Sequence, residues 1–236
     1  MIRLDDVTKA YGEGRRAVTA LDGVSLAIGR GEFVGVVGPR GAGKSTLLHV
    51  IGGLDAPTAG SVRIDGRALD GMDDDVLALF RRRHVGFLFQ DFHLVPTLTA
   101  GQNVALPLVF EGMPADEAVG HAVGALDRLG LAHRADHRPD ALAPGERRSV
   151  ALARALATAP PVLLVDEPTA ALDPASGARL LRHLRAEAWR CGRTVVMATD
   201  DDAVAAVADR RVALVDGRLV TDALVAGGGG RPAPAA

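Results

Sequence analysis

One stretch of the sequence has the residue types and spacing of a phosphate-binding loop. It runs Gly38-Pro39-Arg40-Gly41-Ala42-Gly43-Lys44-Ser45-Thr46, so that a glycine is followed after four residues by Gly-Lys-Ser. The glycines let backbone N–H groups face phosphate oxygens, and the N-terminus of a following helix favours an anion. Lys44 would then reach the β- and γ-phosphates, and the Ser45 hydroxyl would bind Mg²⁺. The loop therefore predicts a nucleoside triphosphate site.

A second group of candidate residues follows a short apolar run. Residues 162–165 are Val-Leu-Leu-Val, and Asp166 and Glu167 come directly after them. A nucleotidase with a phosphate-binding loop needs an acidic residue at the end of a neighbouring strand to hold its metal, and Asp166 supplies one. Glu167 stands where it could activate a water for attack on the γ-phosphate. The pair predicts hydrolysis of the bound nucleotide.

The elements that must position these residues alternate between strands and helices. The apolar run 32–37 predicts a strand, which the loop joins to a helix beginning near Leu47, as a phosphate site requires. Other predicted strands are 24–28, 62–65, 84–90, 161–166, 194–199 and, as the last one, 211–215. Helical spacing is found at 115–131, 149–157 and 177–189. This alternation predicts an α/β fold with a parallel or mixed sheet covered on both faces.

Composition narrows the class of protein further. The chain has 236 residues, of which 48% are hydrophobic and 24% charged, and its net charge of −2 disfavours sequence-independent nucleic-acid binding. No apolar run approaches the roughly 20 residues that cross a bilayer, and residues 1–20 lack a signal-peptide pattern. Cys191 is the one cysteine in the sequence, which excludes an intrachain disulfide and favours a reducing compartment. The Gly- and Pro-rich residues 227–236 predict a disordered tail.

Further motifs resemble those of the ATP-binding subunits of ABC transporters, from about Ile2 to about Val225. Tyr11 matches the aromatic residue that stacks on adenine, and Gln90 matches the glutamine whose loop senses Mg²⁺ and the membrane partner. Residues 170–173, Ala-Ala-Leu-Asp, match the D-loop. Within the family, residues 51–55, 81–87 and 103–108 look like those of the lipoprotein-release and macrolide-export ATPases.

The resemblance implies a RecA-like P-loop NTPase core with a mixed sheet, an N-terminal antiparallel β subdomain and an inserted α-helical subdomain at about 91–158. All of these would lie in one ATP-binding domain, 1–226. It implies ATP and Mg²⁺ as ligands, with Ser45, Gln90 and Asp166 at the metal and Glu167 as the general base, assisted by Gln90. Nucleotide contacts are expected from Tyr11, residues 38–46, Gly145 and Asp200.

The resemblance also implies partners and a location. The partners would be a transmembrane permease subunit and a second ATP-binding subunit, either identical or different, and no nucleic acid. The chain would be cytoplasmic and peripheral on the inner face of the cell membrane. The stretch from Gln90 to Leu108, with its apolar Phe92, Leu94 and Val95, would contact the membrane partner.

Two positions depart from the family pattern. The signature Leu-Ser-Gly-Gly-Gln, which contacts the γ-phosphate bound by the opposite subunit, is replaced by Leu142-Ala143-Pro144-Gly145-Glu146. Ala143 has no hydroxyl, Pro144 has no N–H, and Gly145 keeps one backbone donor. Glu146 adds a negative charge, which Arg147 and Arg148 are candidates to offset.

The second departure is Asp200, which stands where the family places a switch histidine. Histidine can donate a hydrogen bond to the γ-phosphate, whereas an ionised aspartate can only accept one and repels the phosphate. Because the two departures affect different sites of a dimer, pairing with another subunit would not restore a complete site. We therefore expect ATP binding with weak hydrolysis.

Two classes of function remain open from the sequence. The first is a subunit that energises export or extraction through a membrane partner. The second is a regulatory module that binds ATP without significant turnover, even with that partner present. A DNA-repair or chromosome-associated relative is disfavoured, because the sequence has no long coiled-coil or zinc insertion and is not basic.

Overall fold

The computed structural model describes residues 1–12, 14 and 17–225, and the tail predicted at 227–236 lies outside them. Its larger sheet has six strands: β3 (Phe33–Val37), β6 (Val85–Leu88), β7 (Val162–Asp166), β8 (Thr194–Thr199), β9 (Arg210–Val215) and β10 (Arg218–Leu224). Their order is β10-β9-β3-β8-β7-β6. All neighbouring pairs are parallel except β9 and β10 at the edge, so the predicted mixed sheet is confirmed.

The prediction that 211–215 is the last strand was wrong, because β10 follows it. Asp216 and Gly217 form a two-residue turn between β9 and β10 with φ of 47° and 75°. A turn with two positive φ angles matches the twist of a hairpin, and Asp-Gly is a preferred sequence for it. The Asp-Gly pair is therefore the signal that identifies this hairpin, although Arg218–Leu224 is mostly exposed and has no clear apolar alternation.

A second, antiparallel sheet covers the phosphate-loop side of the core. Its strands are β1 (Ile2–Tyr11), β2 (Val18–Ile28), β4 (Ala59–Ile64) and β5 (Arg67–Ala68), in the order β2-β1-β4-β5. Helix α1 (Lys44–Ile51) lies between the two sheets, where Leu47, Leu48 and Ile51 share one apolar cluster with residues of both. The start of α1 is thus fixed by packing on two sides.

The remaining helices pack in two groups. Helices α3 (Ala100–Phe110), α4 (Ala115–Asp127) and α5 (Pro144–Leu156) share an apolar cluster of their own. Helix α6 (Pro174–Cys191) packs Leu180 and Leu184 on the face of the larger sheet opposite to the one that α1 covers. Short helices are α7 (Asp202–Ala205) and the 3₁₀ turns Ala132–Arg134 and Pro139–Ala141. The sequence interpretation omitted α2 (Asp74–His84), and no helix within residues 1–12, 14 and 17–225 is long and apolar enough to cross a membrane.

Candidate functional site

The loop between β3 and α1 is held tightly by its neighbours. Gly41 and Gly43 have φ of 80° and 99°, in the left-handed region that favours glycine. A Cβ atom on Gly38 would lie 2.1 Å from the Leu214 carbonyl oxygen of β9. A Cβ atom on Gly43 would lie 2.2 Å from the Ala20 carbonyl oxygen of β2. The two outer glycines of the motif are thus required by close contacts with both sheets.

Lys44 is folded back into this loop. Its ammonium group donates to the carbonyl oxygens of Gly38 at 2.8 Å and Pro39 at 3.2 Å. The same Nζ atom lies 3.6 Å from Oε1 of Glu167, and the side chain is buried. The loop carbonyls and a carboxylate therefore surround the lysine that the sequence assigned to phosphate binding.

A cavity of about 590 Å³ opens above this loop, at the carboxyl ends of the parallel strands. In an open α/β sheet this edge is where ligands bind. The cavity brings together the predicted Lys44, Ser45, Gln90, Glu167 and Asp200, which come from four separate segments of the sequence. The full lining comprises Arg40, Gly41, Lys44, Ser45, Gln90, Glu167, Thr169, Ala170, Ala171, Thr199, Asp200 and Asp201.

Asp166 is the last residue of β7 and is 5% exposed. Its Oδ1 atom has no hydrogen-bond partner among the described residues. An unpaired buried carboxylate oxygen is costly unless something binds it. Asp166 directly precedes Glu167 but is not among the residues that line the cavity of Ser45 and Gln90. Its carboxylate, the Ser45 hydroxyl and the Gln90 amide supply oxygen donors of the kind that Mg²⁺ prefers.

Glu167 has an unusual backbone and an altered acidity. Its φ of 44° lies in the left-handed region, which a non-glycine residue adopts at a cost of order 1–3 kcal/mol. Burial raises the pKa of its carboxyl, the negative charge of Asp200 raises it further, and Lys44 and Thr199 act in the opposite direction. A carboxylate whose pKa is closer to neutral is a better proton acceptor at physiological pH.

Asp200, the residue at the switch position, begins the segment after β8. Its Oδ2 atom lies 3.6 Å from Nε of Arg40 in the phosphate-binding loop. The neighbouring Asp201 is instead the N-cap of α7, since its carboxylate accepts hydrogen bonds from the backbone N–H groups of Ala203 and Val204. The sequence interpretation treated Arg40 as one residue of the loop and did not pair it with Asp200.

Tyr11 lies outside the lining of this cavity, in β1 of the smaller sheet. Its hydroxyl donates to Asp55 at 2.6 Å. Burial raises the pKa of the phenol, and the hydrogen bond to Asp55 raises it further. Thr46, in the first turn of α1, acts on this pKa in the opposite direction. The Lys9 ammonium lies 4.9 Å from the ring centre, and 42% of Tyr11 is exposed.

The altered signature segment borders a separate cavity of about 340 Å³. Ala143, Pro144, Gly145 and Glu146 line one side, and residues 171–173 line another. Gly145 therefore does not share the Lys44 cavity within one chain. Ala171 lines both cavities and connects them.

The charge of Glu146 is not offset by the arginines proposed from the sequence. Arg147 donates to the Leu142 carbonyl, and Arg148 points elsewhere. Glu146 instead accepts from the Ala143 N–H at 2.8 Å and from Arg134 at 3.0 Å. Although burial opposes it, these two donors hold the pKa of Glu146 below its usual value. The carboxylate is thus neutralised within the subunit.

Arg148 is a functional candidate that sequence reasoning missed. It lies in α5, is 1% exposed, and donates to the carbonyl oxygens of Phe89 at 2.8 Å, Gln90 at 2.9 Å and Ala170 at 3.3 Å. One buried guanidinium thus joins the signature helix to two loops that line the phosphate cavity. Nothing in the local sequence distinguishes it from the neighbouring Arg147.

Comparison with known proteins shows similarity to ATP-binding proteins of transporters, in agreement with the geometry of the cavity. The profile of the ABC transporter family matches residues 21–170. The chain is 44% identical over 224 residues to the macrolide export ATP-binding/permease protein MacB of Burkholderia pseudomallei (strain 1710b), covering 95% of this chain and 34% of that protein. It is 42% identical over 222 residues to the lipoprotein-releasing system ATP-binding protein LolD of Geobacter metallireducens, covering 94% of this chain and 99% of LolD.

Solved structures give a matching result. A dimeric ATP-binding cassette in a post-hydrolysis state, bound to ADP and Pi, superposes with a TM-score of 0.90 at 42% identity. That match covers 96% of this chain and 100% of the other. The chain spans about a third of the length of the macrolide export relatives, whereas it matches nearly the whole of LolD.

Proposed function

Since the chain belongs to the ABC transporter family, we propose that it is an ATP-binding subunit that couples ATP binding and slow hydrolysis to a transmembrane partner. The observation that carries this proposal is the cavity that joins Lys44, Ser45, Gln90 and Glu167 at the carboxyl edge of the sheet. The relatives named for macrolide export and lipoprotein release support a transport role over a purely regulatory one. The subunit works at the cytoplasmic face of the membrane, paired with a second ATP-binding subunit.

Each predicted residue has a role in binding ATP. The backbone of residues 38–46, through every N–H group except that missing at Pro39, and the Lys44 ammonium bind the phosphates, with Lys44 giving up its loop carbonyls to do so. Tyr11 stacks on the adenine ring, held in place through its hydroxyl by Asp55. Gly145 of the opposite subunit closes the site over the γ-phosphate.

Ser45, Gln90 and Asp166 fit a Mg²⁺ ion, and the unpaired Oδ1 of Asp166 is the strongest support for it. When bound, Mg²⁺ neutralises charge on the phosphate oxygens. Glu167 accepts the proton of the attacking water, for which its burial and raised pKa suit it. Gln90, at the cavity edge, orients that water.

An apolar groove on the surface is the candidate docking site for the membrane partner. Phe92 and Leu94, which the sequence offered as docking residues, are half-buried and pack against the core, whereas Val95 is exposed. The exposed apolar surface lies beside them, where Leu54 is 44% and Phe110 63% exposed. These two residues, with Phe87 and three arginines, line a groove of about 370 Å³ that fits a short segment of a permease.

Replacing Lys44 with alanine tests the proposal. Loss of its charged hydrogen bonds is expected to weaken Mg²⁺-ATP binding about 10- to 100-fold, measured by titration calorimetry. Arg67→Gln, which removes one exposed charge from β5, is the matched control and should bind like the wild type. Equal ATP affinity of wild type and Lys44→Ala would contradict the proposed function.

Hydrolysis is slow because the signature and switch donors are replaced. Ala143 is the N-cap of α5 in an extended conformation, so serine fits there and also caps the helix. The Ala143→Ser/Pro144→Gly variant is expected to raise ATP turnover about tenfold, measured as phosphate release across protein concentrations. Ala141→Ser, at a nearby exposed position, is the control. Turnover that does not respond to the double change would show that the signature does not limit hydrolysis.

A further inference from the structure

The phosphate cavity carries more acidic than basic side chains. Its lining includes two cations, Arg40 and Lys44, and three carboxylates, Glu167, Asp200 and Asp201. A nucleotide brings several further negative charges into this space. In the proposed function Lys44 binds phosphate from the side of Glu167, whose carboxylate lies 3.6 Å from its ammonium group. Arg40 is the other cation of the lining, and it lies at the Asp200 side.

Arg40 is held weakly enough to move. Its Nε atom is 3.6 Å from Oδ2 of Asp200, which is beyond an ordinary hydrogen bond, and its side chain is 92% exposed. Exposed ion pairs of this kind contribute little stability, so exchanging the partner costs little. The planar guanidinium has five donors and matches phosphate oxygens well.

The position of Arg40 in the loop determines which phosphate it meets. It stands between Pro39, whose carbonyl Lys44 binds, and Gly41, whose left-handed backbone turns the chain toward α1. Across the cavity it faces Asp200, at the end of β8, beside Glu167. Glu167 marks where the terminal phosphate reacts in the proposed function, so Arg40 borders that end of the site.

We propose that Arg40 leaves Asp200 when ATP binds and donates to the terminal phosphate, so that Arg40 supplies the hydrogen-bond donor that Asp200 cannot. This inference rests on the proposed function. Asp200 is then a positioning residue, which keeps the guanidinium at the cavity edge in the ligand-free protein. The pair Arg40 and Asp200 together replaces a single donor at the switch position.

The terminal phosphate is present in ATP and absent from ADP, and this difference gives the test. Affinities of the wild type and of Arg40→Gln are measured by calorimetry with Mg²⁺ and either ADP or the β,γ-imido analogue of ATP. Arg40→Gln is expected to weaken binding of the ATP analogue about tenfold, the loss of a charged hydrogen bond, and to change ADP binding less than about twofold. Arg67→Gln controls for the loss of one positive charge.

A second pair of variants separates donation from simple charge neutralisation. In an Asp200→Asn background the carboxylate that Arg40 pairs with is gone. If Arg40 touches the phosphate, Arg40→Gln/Asp200→Asn still binds the ATP analogue about tenfold more weakly than Asp200→Asn alone. Equal affinity of these two variants, or equal losses for ADP and the ATP analogue in Arg40→Gln, would overturn the proposal.

The Lys44→Ala variant keeps this test distinct from that of the proposed function. If the wild type binds no nucleotide, or Lys44→Ala binds as well as the wild type, the proposed function itself fails. If the wild type binds the ATP analogue in a Lys44-dependent manner while Arg40→Gln is unchanged, the role of Arg40 alone is rejected.

Discussion

Replacing Glu167 with glutamine is expected to lower ATP turnover about 10²- to 10⁴-fold, the range that a general base contributes. Glutamine keeps the size of the side chain but cannot accept a proton. ATP binding should be retained or become tighter, because the change removes a carboxylate that lies 3.6 Å from the Lys44 ammonium and faces the cavity. Phosphate release at saturating ATP measures the first effect, and calorimetry measures the second.

The matched control for this experiment is Glu117→Gln. Glu117 is exposed on α4, where its carboxylate lies 3.9 Å from Nε2 of His121, and it lies outside the cavity lining. Its turnover should equal that of the wild type. If Glu167→Gln retained full turnover while Lys44→Ala lost binding, the chain would still bind ATP, but another group would have to receive the proton.

Replacing Arg148 with methionine is expected to reduce the free energy of unfolding by about 3–5 kcal/mol, measured by denaturant titration. Three part-buried hydrogen bonds, to the carbonyl oxygens of Phe89, Gln90 and Ala170, are lost, and a hydrogen bond from a charged donor contributes about 1.5–3 kcal/mol. Turnover of the folded fraction should also fall, because Gln90 and Ala170 line the phosphate cavity. Arg148 acts here as a positioning residue.

Arg154→Met separates stability from positioning. Arg154 lies on the same helix, and its guanidinium donates to the carbonyls of Phe92 and His93, further along the same loop. Its loss should also reduce the free energy of unfolding, but the hydrogen bonds of Arg148 to residues 89, 90 and 170 remain. Turnover per folded molecule should therefore fall less than in Arg148→Met. An equal loss of turnover in both variants would mean that Arg148 has a structural role alone.

The sequence sufficed for those parts of the fold that depend on short-range patterns. The glycine spacing of the phosphate-binding loop lies between an apolar strand and a helix, and Glu167 follows directly after β7. Their common cavity follows because the carboxyl ends of parallel strands meet at one edge of a sheet. The Asp-Gly turn before β10 was also readable, but the exposed strand after it gave no apolar alternation to support it.

Contacts between distant residues were not predictable in the same way. Arg148 and Phe89 are 59 positions apart, and the burial of an arginine depends on which carbonyls the fold places around it. Arg134 neutralises Glu146 for the same reason, from a 3₁₀ turn that no periodicity marks. Arg40 and Asp200 lie far apart in the sequence, and their approach depends on β3 pairing with β8.

The phosphate-binding loop is held by close contacts with both sheets and by hydrogen bonds of its own Lys44. Leu214 and Ala20 leave no room for side chains at its outer glycines, and the Lys44 ammonium bonds to the carbonyls at its start. The entropy of ordering this loop is therefore lost during folding and not at each encounter with nucleotide. The association rate of the nucleotide should therefore be limited by diffusion into the cavity and by the release of Lys44 from its carbonyls, because the loop is already in its binding conformation.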